Sequence, residues 1–205
     1  MKRLLLPLLL PVVLAACGSA SPSLNGGRPD LPTGAEVRHP GVPGGATVYL
    51  NLLSDAGESY YQTSAVAGST STTVDPTAWR GKESGKTAAL PTLVPADATV
   101  SDPGAQVLLL HWVMWQDSNS DGVRQPTEQL ALMSHDRVAY VSKAVTISFK
   151  TATPDMQQRW TLASGWSRAA HFVYLPSGSS TYQRTLTSTT LERYELHVPT
   201  PVTSQ

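Results

Sequence analysis

The chain has 205 residues, of which 40% are hydrophobic and 7% aromatic, a composition that excludes a disordered or fibrous protein. Lysine and arginine together number 15, as do aspartate and glutamate, so the formal net charge is zero. Because the basic residues are scattered and form no run or stripe, a nucleic-acid partner is not expected. The length and composition predict one globular domain with tails.

Residues 1–16 have the pattern of a signal peptide. Lys2-Arg3 is a short basic start, and the apolar run at residues 4–14 is too short to span a bilayer as a helix. The segment Leu14-Ala15-Ala16-Cys17 resembles the lipobox of bacterial lipoproteins. This resemblance implies cleavage before Cys17, lipidation of its thiol, and an exported protein anchored to a bacterial membrane. Gly18 after the cysteine allows placement at an outer membrane or cell surface.

After the signal peptide, the sequence predicts a tether and then a domain that contains no disulfide. Residues 17–44 are rich in Gly, Pro and Ser without hydrophobic periodicity, which predicts a flexible linker that begins with the lipidated cysteine. Cys17 is the only cysteine of the chain, so the domain must be stable without a disulfide. We predict a β-rich globular domain at residues 45–199 and a short tail at 200–205.

Short segments with alternating or continuous apolar residues predict the strands of this domain. The most apolar segment, residues 105–116, is typical of a strand buried on both faces. Residues 67–102 predict loops with at most one edge strand, and residues 155–159 allow one helical turn. Turn signals between the strands predict an all-β fold, a single antiparallel β-sandwich-like domain. The predicted strands cover residues 46–53, 60–66, 105–116, 129–134, 137–142, 144–150, 160–163, 169–175 and 193–198.

The polar segment at residues 117–128 lies between two predicted strands. It has oxygen-bearing side chains at its first, third and fifth positions, a glycine at the sixth and a glutamate at the twelfth. This pattern resembles the calcium loop of EF-hand proteins. The resemblance implies that Gly122 makes the sharp turn and that Val123 contributes its carbonyl oxygen. The implied calcium ligands are Asp117, Asn119, Asp121, Val123, Gln125 and Glu128.

The segment also departs from the EF-hand pattern. Arg124 stands where a branched apolar residue is usual, Gln129 follows the glutamate, and the flanking segments predict strands instead of helices. In this respect it is similar to the calcium loops of some bacterial surface β-sandwich modules. Such an ion would be structural, with a dissociation constant on the order of 10⁻⁴–10⁻³ M. The alternative is a polar hairpin tip without an ion.

Other candidate sites are weaker. The segment Gly165-Trp166-Ser167-Arg168-Ala169 resembles the serine elbow of hydrolases, but it lacks the second glycine and an α/β scaffold, so no catalytic residue is assigned. No two histidines have the spacing of a zinc pair, and His111 and His171 are expected to be packed or hydrogen-bonded. Core packing is the expected role of the tryptophans at 112, 115, 160 and 166, although exposed rings would stack on sugars.

The sequence therefore predicts a lipid-anchored, non-catalytic protein of the bacterial cell envelope with one structural calcium site. The membrane is reached through Cys17, and an envelope glycan or another protein is a further possible partner. The first alternative is a binding module for an envelope glycan or small ligand. The second is a hydrolase with an unrecognised site.

Overall fold

The computed structural model describes residues 34–189, 193–200 and 202 of the chain. The predicted signal peptide, Cys17, the tether up to residue 33 and most of the tail lie outside these described residues. No helix in the described ranges has the length and hydropathy of a membrane span. The described part contains three 3₁₀-helices, at Pro76–Ala78, Leu90–Thr92 and Pro126–Glu128, and fourteen strands. The strands are β1 (Ala35–Arg38), β2 (Thr47–Ser54), β3 (Ser59–Ala65), β4 (Ser71–Val74), β5 (Ala88–Ala89), β6 (Thr99–Val100), β7 (Gln106–Asp117), β8 (Gln129–Ser134), β9 (Arg137–Val141), β10 (Val145–Ala152), β11 (Asp155–Leu162), β12 (Gly165–Tyr174), β13 (Tyr182–Thr189) and β14 (Arg193–His197).

The twelve-residue strand β7 is the centre of one large sheet. On one side it pairs with β5 and β2, and β2 continues to β3. On the other side its second half leads through β8 to β14, β1 and β4, whereas its first half leads through β9 to β12, β13, β11, β10 and β6. Most neighbours are antiparallel, but β1 is parallel to β14 and β11 is parallel to β13. The all-β prediction is confirmed, with a mixed sheet.

The two faces of β7 carry two separate hydrophobic cores. Successive side chains of a strand point to opposite faces, so Leu108, Leu110 and Trp112 belong to the first core, and Val107 belongs to the second. The first core is formed mainly by β1 to β4, β8 and β14, with Val138 of β9 and Trp166 of β12, and the second mainly by β9 to β13. The apolar character of the predicted central strand therefore reflects burial on both of its faces.

The tryptophans are core residues, as the sequence predicts. Trp112 and Trp115 are fully buried on opposite faces of β7. The Trp112 ring packs edge-on against Trp79 with 5.6 Å between the ring centroids, and Trp115 stacks on Tyr49 at 4.7 Å. Such pairs add about 0.5–1.5 kcal/mol each beyond the burial of apolar area.

The folded part begins earlier than the boundary predicted at residue 45. Strand β1 lies within the segment predicted as tether, and its side chains Ala35 and Val37 are buried in the first core. The neighbouring His39 is buried as well, and one of its ring nitrogens lies 3.0 Å from the Thr72 hydroxyl. Only four residues alternate in this strand, so its signal is lost among the surrounding glycines and prolines. Residues 34–44 therefore belong to the domain.

Two other segments also differ from the prediction. The segment 67–102, predicted as loops with at most one edge strand, contains β4, β5, β6 and two of the 3₁₀-helices. Residues 155–159 form the first half of strand β11 instead of a helical turn. Met156 and Gln158 are buried there and alternate with less buried neighbours, so a polar residue occupies a position that faces inward.

Candidate functional site

The predicted calcium loop connects the end of β7 with the start of β8. Because Trp115 pairs with Gln129, the residues at the two ends of the loop are brought close together. Both end residues are carboxylates and both are buried, with only 3% of Asp117 and 6% of Glu128 exposed. The loop is thus held at its base by two acidic side chains that point inward.

Glu128 closes the base of the loop through backbone hydrogen bonds. The N–H of Ser118 donates to its Oε1 at 2.9 Å, and the N–H of Gln125 donates to its Oε2 at 3.1 Å. Gln125 caps the start of the last 3₁₀-helix. Its side chain accepts a hydrogen bond from the Glu128 N–H, which completes a capping box with the bond from the Gln125 N–H to Glu128. One side chain therefore joins the first and last turns of the loop.

Asp117 and Asp121 bind the middle of the loop in the same way. Asp117 accepts hydrogen bonds from the N–H groups of Asp121 and Gly122, at 3.2 and 3.0 Å. Asp121 accepts from the Val123 N–H at 2.8 Å. This backbone hydrogen bond, together with those from the Asn119 and Gln125 amides, lowers the pKa of Asp121. Gly122 has a φ of +71°, so the sharp turn predicted at this glycine is present.

The side chains fit calcium in their chemistry, but they are arranged as a hydrogen-bonded loop. Every carboxylate oxygen of Asp117, Asp121 and Glu128 accepts a hydrogen bond from an N–H group. Within the described ranges, no three His, Cys, Asp or Glu side chains are placed so that they could hold a metal ion. Asp121 Oδ2 accepts from both the Asn119 and the Gln125 amides, whereas each of the other five oxygens accepts one such bond and keeps a second lone pair that suits a hard cation. The six-ligand set therefore stays a prediction.

The serine-elbow segment is part of a regular strand. Ser167 is the third residue of β12 and is buried, and its hydroxyl oxygen is 2.8 Å from that of Ser188 on β13. A nucleophile elbow places the serine on a sharp turn between a strand and a helix, and this strand has no such turn. The local structure does not support a nucleophilic role for Ser167.

Three histidines gather near the turn between β8 and β9, although the sequence separates them widely. The His135 ring stacks on His197 with 4.7 Å between the centroids, and it lies 5.7 Å from His171. The backbone N–H of His171 donates to the Asp136 carboxylate at 2.8 Å, and that carboxylate also binds Arg168. Burial, and then the His197 charge, lower the pKa of His135.

A second polar region was not predicted from the sequence. Asp55, in the turn between β2 and β3, lies 3.4 Å from both the His111 Nδ1 and the Arg137 Nη1. The pairing of Leu53 with His111 brings the turn to this position. Contact with His111, and then the Arg137 charge, lower the pKa of Asp55. The only sequence signal is that His111 and Arg137 occupy alternating strand positions that are otherwise apolar.

No family model matches the chain, and neither a curated protein nor a solved structure matches it. The functional inference therefore depends on the residues themselves. The loop at residues 117–128 and the polar region around Asp55 are two places where several charged or polar side chains are held close together.

Proposed function

We propose that the protein is a lipid-anchored, non-catalytic protein of the bacterial cell envelope whose β domain is stabilised by one calcium ion in the loop at residues 117–128. The observation that carries the calcium proposal is the buried pair Asp117 and Glu128, which closes the loop at the end of the central strand. The ion would be held by these two residues together with Asn119, Asp121, Gln125 and the Val123 carbonyl.

The charge of the loop gives calcium a physical role there. Three carboxylates lie within twelve residues, and a divalent cation would neutralise most of their mutual repulsion. An ion that binds only the folded loop stabilises the fold by mass action. At about 1 mM calcium and a dissociation constant of 10⁻⁴–10⁻³ M, the free energy of unfolding would rise by about 0.4–1.4 kcal/mol.

Thermal unfolding of the full-length protein tests the calcium proposal. We expect the midpoint to rise by about 1–5 °C when calcium is raised from zero to about 1 mM. The rise should disappear in Asp121→Ala and persist in Asp97→Ala, which removes an exposed carboxylate outside the loop. An unchanged midpoint at up to about 10 mM calcium would leave only a hydrogen-bonded turn.

The anchor proposal depends on Leu14-Ala15-Ala16-Cys17, which lies outside the described residues. Signal peptidase cleavage and lipidation require the thiol of Cys17, so Cys17→Ser should accumulate as an uncleaved precursor without lipid. Metabolic labelling with a fatty acid, followed by membrane fractionation, measures both steps. A Cys17→Ser protein that is still cleaved and labelled would refute the lipobox.

A second candidate function is the binding of an envelope glycan, and an exposed aromatic pair favours it. Phe172 and Tyr174 lie on the same face of β12, and both are largely exposed with their ring centroids 5.7 Å apart. Ring faces of this kind stack on the apolar side of a sugar. Glycan binding that is lost in Phe172→Ala and retained in Val66→Ala, at another exposed apolar residue, would support this function.

A further inference from the structure

Five ionisable side chains from five segments meet at one end of the second core. Asp55 comes from the turn after β2, His111 from β7, Arg137 from β9, His171 from β12 and Arg184 from β13. We call these five residues the basic cluster. None of these five residues belongs to the loop at residues 117–128, and the cluster does not require the proposed calcium ion.

Strand register explains why four of these side chains face the same way. Leu109 pairs with Ala139, so His111 and Arg137, two residues away on each strand, continue the face that carries the second core. In the same way, Ala169 pairs with Arg137, which places Arg137 on the face that His171 shares.

Arg184 reaches the same face through β13. His171 pairs with Leu186, which belongs to the second core, and Arg184 lies two residues before that leucine. On its other side Arg184 pairs with Gln158 of β11, whose side chain is buried and neutral. Polar and charged side chains therefore take the place of apolar side chains at this end of the second core.

The charges of the basic cluster do not balance. Arg137 and Arg184 are both cationic at neutral pH, and the only carboxylate of the cluster is Asp55, whose side chain is 66% exposed. The neighbouring Asp136 is already occupied, because it binds the guanidinium of Arg168 at 2.7 Å and the backbone of His171. Burial of a guanidinium without a matching anion is unfavourable by several kcal/mol.

Hydrogen-bond donors in the cluster are also left without acceptors. Arg184 is only 7% exposed, and its Nε has no hydrogen-bond partner among the residues that the structure describes. The Nη1 of Arg137 contacts Asp55 as an ion pair at 3.4 Å but makes no hydrogen bond. Burial, and then the Arg137 charge, lower the pKa of Arg184 to about 10. Buried donors of this kind normally have an acceptor.

We propose that the basic cluster binds the oxyanion of a small ligand, a carboxylate or a phosphate, between Arg137 and Arg184. Guanidinium groups bind such anions through paired, charge-assisted hydrogen bonds. The anion would supply the missing negative charge and the missing acceptors together. Asp55, at the exposed end, acts as an internal competitor for Arg137.

The surface next to the cluster offers room for the rest of the ligand. A cleft of about 250 Å³ lies beside Asp55 and His111, with Leu53 and Met133 as part of its apolar lining. Arg124 also lines this cleft and adds another positive charge at its rim. A ligand with one acidic group and a small apolar body would fit this combination.

Calorimetric titration of the full-length protein with inorganic phosphate, and separately with acetate, tests the proposal. The buffer should be freed of calcium on a resin, since chelators are themselves carboxylates, and chloride should keep the ionic strength constant. We expect saturable binding of at least one of the two anions. Arg184→Met should weaken it at least tenfold, and the matched control Arg159→Met, at an exposed position of β11, should leave it unchanged.

A second variant gives a result of the opposite sign. Asp55→Asn removes the competing carboxylate, so the anion should bind several-fold more tightly than to the unchanged protein. A purely structural role of Asp55 would give weaker binding or none. The proposal is overturned if neither anion binds at up to about 10 mM, if Arg184→Met binds normally, or if Asp55→Asn fails to bind more tightly. Because no calcium is present, the outcome does not depend on calcium binding by the loop.

Discussion

The proposed calcium loop and the basic cluster hold their charges in opposite ways. In the loop, all six carboxylate oxygens of Asp117, Asp121 and Glu128 accept hydrogen bonds from nearby N–H groups. In the cluster, Arg184 and Arg137 carry donors for which the described part of the chain offers no acceptor. The loop has a recognisable sequence pattern, but its carboxylates already accept hydrogen bonds from its own backbone and side-chain N–H groups. The cluster has no sequence pattern, yet it is the region that lacks a partner.

This difference determines what substitutions should do in each region. Removing an acceptor from the loop leaves backbone N–H groups unpaired, and the folded state loses free energy. Removing an unpaired cation from the cluster relieves a desolvation cost, and the folded state gains free energy. The comparison therefore predicts effects of opposite sign for charged residues that are buried to a similar degree.

The largest effect is expected for Glu128→Ala. Both carboxylate oxygens accept backbone hydrogen bonds, so the alanine leaves the N–H groups of Ser118 and Gln125 without acceptors. The free energy of unfolding in urea should fall by about 2–4 kcal/mol without calcium. Asp97→Ala, at an exposed carboxylate, should change it by less than about 0.5 kcal/mol. A loss of that small size in Glu128→Ala would mean that the loop is not held by this side chain.

Arg184→Met should have the opposite sign. Methionine keeps most of the apolar volume and removes a buried guanidinium whose Nε is unpaired. In anion-free buffer the free energy of unfolding should stay unchanged or rise by about 1–3 kcal/mol. The same urea titration measures it. A fall of more than about 1 kcal/mol would show that Arg184 is well paired and would remove the contrast with the loop.

The sequence predicts the parts of the fold in which local pattern and burial agree. The apolar segment of β7 and the alternating segment of β10 are both strands at the predicted places. Strand β13 was not predicted, because one of its two buried positions is Arg184, and an inward-facing arginine breaks the expected alternation. The inward-facing Arg184 that breaks the alternation of this strand is also one of the residues that make the cluster a candidate site.

The two candidate sites differ in predictability for a related reason. The loop is contiguous, so residue spacing alone places Asp117 and Glu128 at its two ends. The basic cluster joins residues separated by up to 129 positions, from Asp55 to Arg184, and only the register of β7, β9, β12 and β13 brings them together. Strand order cannot be deduced from periodicity, since periodicity reports the face of a residue and not its neighbours.

The smallest effect, about 1 kcal/mol, is expected for the pH dependence contributed by His171. Burial, and then the charges of Arg184, His135 and Arg137, lower the pKa of this ring to about 3 in the folded protein. Its pKa in the unfolded chain is about 6.5, so the unfolded state takes up the proton first. This contribution to stability is complete above pH 6.5 and is lost as the pH falls toward 3.

Urea unfolding at pH 7 and pH 5 measures this effect. Between these values the unchanged protein should lose about 1 kcal/mol through His171, after allowance for the partial exposure of the ring. His171→Gln replaces the titrating ring by a neutral amide of similar length, so the stability of this variant should fall less over the same interval. Equal losses in the two proteins would mean that neither burial nor the positive charges of Arg184 and Arg137 lower the pKa of His171. The cluster would then lack the excess charge that sets it apart from the loop.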